Sequence, residues 1–304
     1  MNRSSILVIG SSNYDAFLHV QRMPMIGETL PADGMTVGCG GKGANQAVQC
    51  AKLGLKTYMA GAVGGDAMGA FLREGLESYG VDTTYLRTSS EPSGFSAIYV
   101  FPDAKVRSAI VRGANFDFTR EDIDVLVPLM QEAYAVVLQL EIPLEIVAYV
   151  AEKAHEAGAK VVLNAAPAHP LADETLALCD VFMANEVEAS FYTGTNIVTP
   201  EDAQQHIGAF CEKYGFDAVF TLGEKGAVGY TKGETRHIPC AKTKAVDTMG
   251  AGDSFAGGFI KGIYEGLDFW KAADFAAHCS AVTVASTGCQ NSMPTLAQVE
   301  QYLK

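Results

Sequence analysis

The spacing of apolar residues predicts an α/β protein: an open, mostly parallel central sheet with helices on both faces and a small additional β-sheet. Three observations lead there. From residue 136 onward, β-branched runs with no polar face (136–140, 161–164, 181–185 and 218–222) alternate with stretches of helical period (144–158 and 203–214). That is the pattern of buried parallel strands joined by crossover helices. Residues 15–38 and 93–112 break the rhythm. Pro24, Gly27, Pro31 and Gly34 interrupt the first, and Phe95, Ala97 and Tyr99 alternate in the second, as in short strands and turns. Finally, the main strands run out into polar residues: Asn13 and Asp15, Glu141, Asn164, Asn185 with Glu186 and Glu188, then Gly223. In an open parallel sheet, ligands bind outside those ends.

Taken in order, residues 6–10 form a buried strand followed by a polar loop over 11–15. Ala44, Ala47, Val48, Ala51 and Leu55 recur at helical spacing, so a helix is expected over 45–55, then a strand over 57–63 and a helix over 66–79 closed by Gly80. Residues 93–111 read as a hairpin turning at Pro102-Asp103-Ala104. A short helix fits 170–179, and the chain ends in helices over 254–266, 270–285 and 295–303. No repeat, linker or low-complexity run divides it, so residues 1–304 are expected to form one domain.

Composition excludes several classes. The 304 residues carry a net charge of −13, which disfavours a nucleic-acid partner, since binding to phosphate backbones draws on clustered Lys and Arg. No apolar stretch approaches membrane-spanning length, and the run at 6–9 is too short for a signal peptide. The seven cysteines are odd in number and contain no C-x-x-C pair; reduced thiols of a cytoplasmic protein fit this best. His155, His169, His206 and His237 have no neighbours at metal-ligand spacing.

One stretch concentrates chemistry. In Asp247-Thr248-Met249-Gly250-Ala251-Gly252-Asp253, two glycines open onto an amphipathic run, which reads as a loop feeding a helix N-terminus. Free amides and the positive end of the helix dipole suit an anion there. A carboxylate in that turn, Asp253, is either a helix cap or a general base. Earlier, Gly38-Cys39-Gly40-Gly41-Lys42-Gly43 matches G-x-G-x-x-G, but no regular strand precedes it and no acid ends the next strand, against a dinucleotide site. It is not a Walker A loop either, because Gly43 follows Lys42 where Ser or Thr should stand. Cys39 reads as a packing residue.

Gly40-Gly41-Lys42-Gly43-Ala44-Asn45-Gln46-Ala47 together with Asp247–Asp253 resembles the two signatures of the ribokinase (PfkB-type) carbohydrate kinase family. The likeness extends through Asn13-x-Asp15, Gln139-Leu140-Glu141, 164–168, 185–188, 221–223 and 288–292, and so runs the length of the chain. It implies a ribokinase-like fold in which 15–38 and 93–112 form a lid over the sugar and the contact of a homodimer. It also implies phosphorylation of ribose at O5 by ATP, with magnesium and potassium. Asp253 would be the base, and the amides of Gly250, Ala251 and Gly252 the anion hole. Asn13, Asp15, Gly41, Lys42, Gly43, Ala44, Asn45 and Glu141 would bind the sugar. Thr221, Leu222, Gly223, Glu224, Lys225 and Gly226 would line the nucleotide site with Gly252, Ala277 and His278. Asn185 and Glu188 would organise magnesium through water. Asp247, Met249, Thr283, Ser286, Gly288 and Ser292 match the family's monovalent-cation site. Two departures stand out: Tyr14 between the sugar-binding Asn13 and Asp15, which bears on the choice of sugar, and Cys289 with Asn291 where Ala and Pro are usual. A 2-deoxyribose kinase and a non-catalytic sugar or nucleotide sensor are the alternative readings.

Overall fold

Strand β1 (Ser5–Ile9) is buried along its whole length, and its alternating side chains serve two cores at once. Ile6 and Val8 point into one, Leu7 and Ile9 into the other, as expected for a strand covered on both faces. The computed structural model describes residues 3–103 and 105–303; Ala104, the last residue of the expected hairpin turn, lies outside them.

After β1 the chain forms β2 (Asn13–His19), β3 (Gly34–Gly40), α1 (Lys42–Lys52), β4 (Lys56–Gly64), α2 (Ala67–Ser78), β5 (Leu86–Ser89), β6 (Gly94–Val100) and β7 (Val106–Val111). Short helices α3 (Arg120–Asp124) and α4 (Val127–Glu132) lead into β8 (Ala133–Leu138). Then follow α5 (Leu144–Glu156), β9 (Lys160–Asn164), α6 (Asp173–Leu176), β10 (Val181–Asn185), α7 (Glu186–Thr193), α8 (Pro200–Tyr214) and β11 (Asp217–Thr221). A hairpin of β12 (Ala227–Thr231) and β13 (Glu234–Ile238) precedes α9 (Ala251–Tyr264), α10 (Phe269–Val284) and α11 (Leu296–Tyr302).

Among the described residues the main sheet has nine strands in the order β13-β12-β11-β10-β9-β8-β1-β4-β5. Only β12, between β11 and β13, runs antiparallel to the others. The open, mostly parallel sheet with helices on both faces is therefore as the sequence predicts. Helices α1, α2, α9 and α10 contribute Val48, Leu72, Phe259 and Ala276 to one core; α4, α5 and α8 contribute Met130, Val150 and Ile207 to the other. The second sheet has the order β3-β2-β6-β7. Its strands run two residues past the expected 15–38 at each end.

Several boundaries differ from expectation for local reasons. Asn13 and Asp15 lie in β2 and not in a loop, because Asn13–His19 pairs on both sides, with β3 and β6. Helix α1 begins at Lys42 instead of 45, and α9 at Ala251 instead of 254. Glycine is a poor helix former, yet here it is the first turn of each helix that needs it. Farther along α9, a Cβ at Gly258 or Gly262 would lie 2.9 or 2.7 Å from the backbone of α10 at Ala276 or Ala272. Strand β8 starts and ends earlier than the expected 136–140, which leaves Gln139, Leu140 and Glu141 beyond its end.

Phe182 of β10 is fully buried, with the rings of Tyr192, Phe210 and Phe216 at centroid distances of 5.1, 5.1 and 5.2 Å. No smaller side chain can fill that junction of β10, α7 and α8. Phe182→Ala should lower stability by about 3–5 kcal/mol, seen as a lower urea midpoint with an unchanged slope.

Candidate active site

The neighbours of β1 leave it in opposite directions, β4 to one side and β8 to the other. Such a switch point opens a crevice at the strands' carboxyl ends. Residues 10–13 and 139–141 emerge there, and the first turn of α1 is set directly on the former. A Cβ at Gly41 (φ 89°) would lie 2.7 Å from Ser11 O and 2.9 Å from Asn13 N; one at Gly43 would lie 2.7 Å from both Gly10 C and Ser11 N. Backbone therefore packs on backbone, and the Ala44 amide donates to Ser11 O at 2.9 Å. Glu141 locks this junction. Its Oε2 accepts from Ser11 Oγ at 2.5 Å and from the Lys42 amide at 3.1 Å, at the positive end of α1.

Helix α9 faces the same crevice. Gly250 precedes it in the left-handed conformation (φ 73°), and no side chain caps it. The capping reading of Asp253 is thereby excluded; its carboxylate points elsewhere. Oδ2 accepts from Asn45 Nδ2 and Oδ1 from Gln46 Nε2, each at 2.9 Å. Both amides are themselves oriented from behind. Gln290 Nε2 donates to Asn45 Oδ1 at 3.0 Å, and Gln139 Nε2 donates to Gln46 Oε1 at 2.7 Å. Gln46, Gln139 and Gln290 lie within the quoted signatures, but no role attaches to them from the sequence. The available signal was a glutamine at a helix position, 46, flanked by core residues Ala44, Ala47 and Val48.

Asp253 is only 7% exposed, and burial pushes its carboxyl above the ordinary range; Lys42, Asn45 and Gln46 oppose the rise and Glu141 adds to it. Burial acts to lower the Lys42 ammonium, but the negative charges of Asp253, Glu141 and Glu188 outweigh it and raise the value. Lys42 is thus held as a cation beside a carboxylate that can take a proton. At the mouth of α9, the Ala251 amide makes a long bond to Thr248 O, 3.3 Å. Among the described residues the Gly252 amide has no protein partner.

Asn13 and Asp15 share one face of the small sheet. Gly40 makes room for Asp15: a Cβ there would lie 1.9 Å from Asp15 Oδ2. Burial raises the Asp15 carboxyl to about 6, with Ser96 opposing and Glu141 adding. Tyr14 points the other way, its ring 5.3 Å from Phe71 of α2 and 6.3 Å from Phe95. The departure at Tyr14 is therefore absorbed by packing and stays off the Asn13–Asp15 face. Cys39 also lies against α2, 3.9 Å from Phe71 O.

The other expected residues separate into groups. Asp247 receives the Met249 amide at 3.0 Å and the Gly288 amide at 2.9 Å, and Ser292 Oγ lies 2.7 Å from Gly288 O. Thr283 and Ser286 sit at the carboxyl end of α10, but the Thr283 hydroxyl turns inward to Ser254 Oγ at 2.7 Å. Asn185 and Glu188 form a capping box on α7. Asn185 Oδ1 accepts from the Val187 and Glu188 amides, and Glu188 Oε2 from the Asn185 amide at 2.8 Å. Residues 221–226 make a tight turn beside the end of β10, closed by Leu222 N to Gly226 O at 2.8 Å, with Glu224 exposed. Lys225 Nζ donates to Val198 O at 2.8 Å, away from a phosphate role. His278 bonds its own helix at Asp274 O, 2.8 Å, and meets Tyr302 edge-on; Ala277 packs beside it against the core. Among the described residues, no three His, Cys, Asp or Glu side chains converge as a metal-binding group, and no helix is long and apolar enough to cross a membrane.

A carboxylate ready to take a proton, a cation and an uncapped helix mouth in one crevice describe a phosphotransferase. The family model "pfkB family carbohydrate kinase" matches residues 3–296, and the chain belongs to that family. It is a ribokinase-type phosphotransferase that acts on a sugar hydroxyl. Deoxyribokinase of Salmonella typhi is 37% identical over 300 residues, covering 98% of each chain. Ribokinase of Haemophilus influenzae is 34% identical over 303 residues, covering 99% of each. Arabidopsis thaliana ribokinase, solved in complex with ribose and ATP, superposes with a TM-score of 0.91 at 33% identity and 99% coverage of both chains.

Asp15 titrates at 3.8 as a free side chain and at about 6 when folded. The unfolded state therefore binds fewer protons between those values. Stability from this group is complete below 3.8 and declines as pH rises through 6. Asp15→Asn should be more stable than the parent at pH 8 by roughly 1–2 kcal/mol, allowing for partial exposure, with the difference closing near pH 4 in urea titrations.

Proposed function

We propose that this protein is an ATP-dependent ribokinase that phosphorylates D-ribose at O5. The single observation that carries the reading is the buried Asp253 carboxylate, fixed at the mouth of α9 between Asn45 and Gln46. The relatives, ribokinases and a deoxyribokinase, support a kinase of a small sugar of this type; the choice of ribose rests on Asn13.

The sugar lies between the small sheet and the crevice, held by Asn13, Asp15, Glu141 and the Gly41–Asn45 turn. Its primary hydroxyl reaches Asp253, which takes the proton as O5 attacks the γ-phosphorus of ATP. The O5–P bond forms, the bond to the β–γ bridging oxygen breaks, and ADP leaves with that electron pair. The amides of Gly250, Ala251 and Gly252 donate to the transferring oxygens, a positioning and electrostatic task. ATP lies along the turn at 221–226 and the mouth of α9. Glu188 keeps one carboxylate oxygen outside its capping box, a hard donor suited to a water-bound magnesium, which neutralises phosphate charge when bound. The carboxylate of Asp247, the carbonyls of Met249, Thr283, Ser286 and Gly288 and the hydroxyl of Ser292 form an all-oxygen set. Such a set, at the negative end of α10, fits a potassium ion. The small sheet acts as the lid. Met35 and Ile110 are 63% and 52% exposed on its strands, which supports a second copy of the chain as its cover.

Ribose is favoured over 2-deoxyribose because, among the described residues, Asn13 Nδ2 has no hydrogen-bond partner and is not a buried unpaired atom, so it is available to meet a ring hydroxyl. A site built for a hydroxyl rejects the analogue lacking it by up to about 10⁴-fold.

Asp253→Asn should lower kcat by about 10³-fold or more while ribose binding by calorimetry stays near that of the parent; full activity would remove the base from Asp253. In the parent, kcat/KM should rank ribose above 2-deoxyribose and fructose, and potassium should raise activity over sodium alone. A preference for 2-deoxyribose, or equal rates in the two salts, would overturn the corresponding assignment.

A further inference from the structure

The orientation of the Asn13 carboxamide is not free, and the residue that sets it lies about a hundred positions away. Asn115, in the 3₁₀ turn after β7, is 2% exposed. Its Oδ1 accepts from the Ser12 amide at 2.8 Å, and its Nδ2 donates to Ser12 O at 3.2 Å and to Asn13 Oδ1 at 2.7 Å. The order of these contacts matters. A backbone N–H can only donate and a backbone carbonyl can only accept, so Ser12 decides which end of the Asn115 amide is oxygen and which is nitrogen. Once Nδ2 of Asn115 faces Asn13, the Asn13 oxygen must face Asn115. The Asn13 nitrogen is then left as the end that opens to the crevice.

Gly94, at the start of β6, completes the arrangement. A Cβ there would lie 2.2 Å from Asn115 Nδ2, 2.3 Å from Asn13 Oδ1 and 2.8 Å from Ser12 O. The two stacked amides occupy the space that any side chain at position 94 would need. Asn13 stands at the start of β2, Gly94 at the start of β6 and Asn115 in the 3₁₀ turn after β7, so the pair is braced from three segments.

We propose that Asn115, seated on Gly94, is the positioning residue for sugar specificity. It presents Asn13 to the sugar as a hydrogen-bond donor only, and thereby sets the preference for the sugar that carries the matching hydroxyl. This rests on the reading of Asn13 as a sugar contact. Asn115 touches neither the sugar nor the reacting atoms; it acts through Asn13. Without it the Asn13 amide can rotate, and a carbonyl facing a hydroxyl or a ring carbon no longer separates ribose from 2-deoxyribose in the same way.

The test compares kcat/KM for ribose and 2-deoxyribose in the parent, Asn13→Ala, Asn115→Ala, the double variant and Gly94→Ala, with thermal midpoints alongside. The ribose to 2-deoxyribose ratio is the readout, because a loss of folded protein lowers both sugars equally and leaves their ratio alone. Asn13→Ala and Asn115→Ala should each reduce the ratio by about tenfold or more, and the double variant should go no lower than Asn13→Ala alone. Gly94→Ala keeps every polar group yet displaces the pair; it should reduce the ratio too, and it carries the test if Asn115→Ala does not fold. If Asn13→Ala changes the ratio and neither Asn115→Ala nor Gly94→Ala does, the positioning role is wrong and the sugar contact stands. If Asn13→Ala leaves the ratio unchanged, the sugar contact itself is wrong, and the positioning role falls with it. Additive losses in the double variant would show that Asn115 acts by another route.

Discussion

A carboxylate that is almost wholly buried must be kept in a state where it can still exchange a proton, and much of this architecture follows from that demand at Asp253. An unpaired buried charge is costly. Here the cost is offset by two amide donors, a nearby ammonium and the amino end of a helix. Each donor works only if its own amide cannot turn over, which is what Gln290 and Gln139 secure. The donors sit on α1 and the acid on α9, so the two helices need a fixed register. Gly257 provides part of it, since a Cβ there would lie 2.5 Å from Gln49 Cγ. Gln49 in turn accepts from Ser254 and donates to Pro294 O. The glycines that seat α1 on residues 10–13 carry the same constraint back to the sheet.

The main sheet was legible in the sequence because each of its parallel strands is a short β-branched run bracketed by helical periodicity. The polar strand ends located the crevice, and Gly-Ala-Gly-Asp located the helix mouth. Glycine misled at the boundaries: it normally ends helices, whereas Gly43 and Gly252 begin them. Helices α3 and α4 are too short for their periodicity to register, and the capping box that starts α7 coincides with the residues read as a magnesium site. Tyr14 could not be placed because a strand's two faces are indistinguishable until its partners are known. Gln46 and Asn115 were not legible as site residues, since their partners lie 207 and 102 positions away. Nothing local marks such a pairing.

The acidic residues in and around the crevice serve differently. Glu141 fastens α1 to the β1 end through one carboxylate oxygen, Oε2. Glu188 is divided, one oxygen in a capping box. Asp15 is the exception, raised to about 6 by its surroundings with little in the protein to compensate it. A residue that detracts from stability is characteristic of sites selected for what they bind. The small sheet that carries it has an outer strand, β7, that is exposed throughout.

The donors to Asp253 come from α1, and the acid itself follows 208 positions later; the amide that orients Asn45 is 245 positions beyond it. During synthesis β1, α1 and β4 are available to pack early, but their polar face has nothing to hold until α9 and the loop carrying Gln290 leave the ribosome. Domains generally fold as units once enough chain has emerged. Phosphotransfer is therefore acquired only once α9 and the loop carrying Gln290 have been made, and a chain that stops short of them has no partial activity to express.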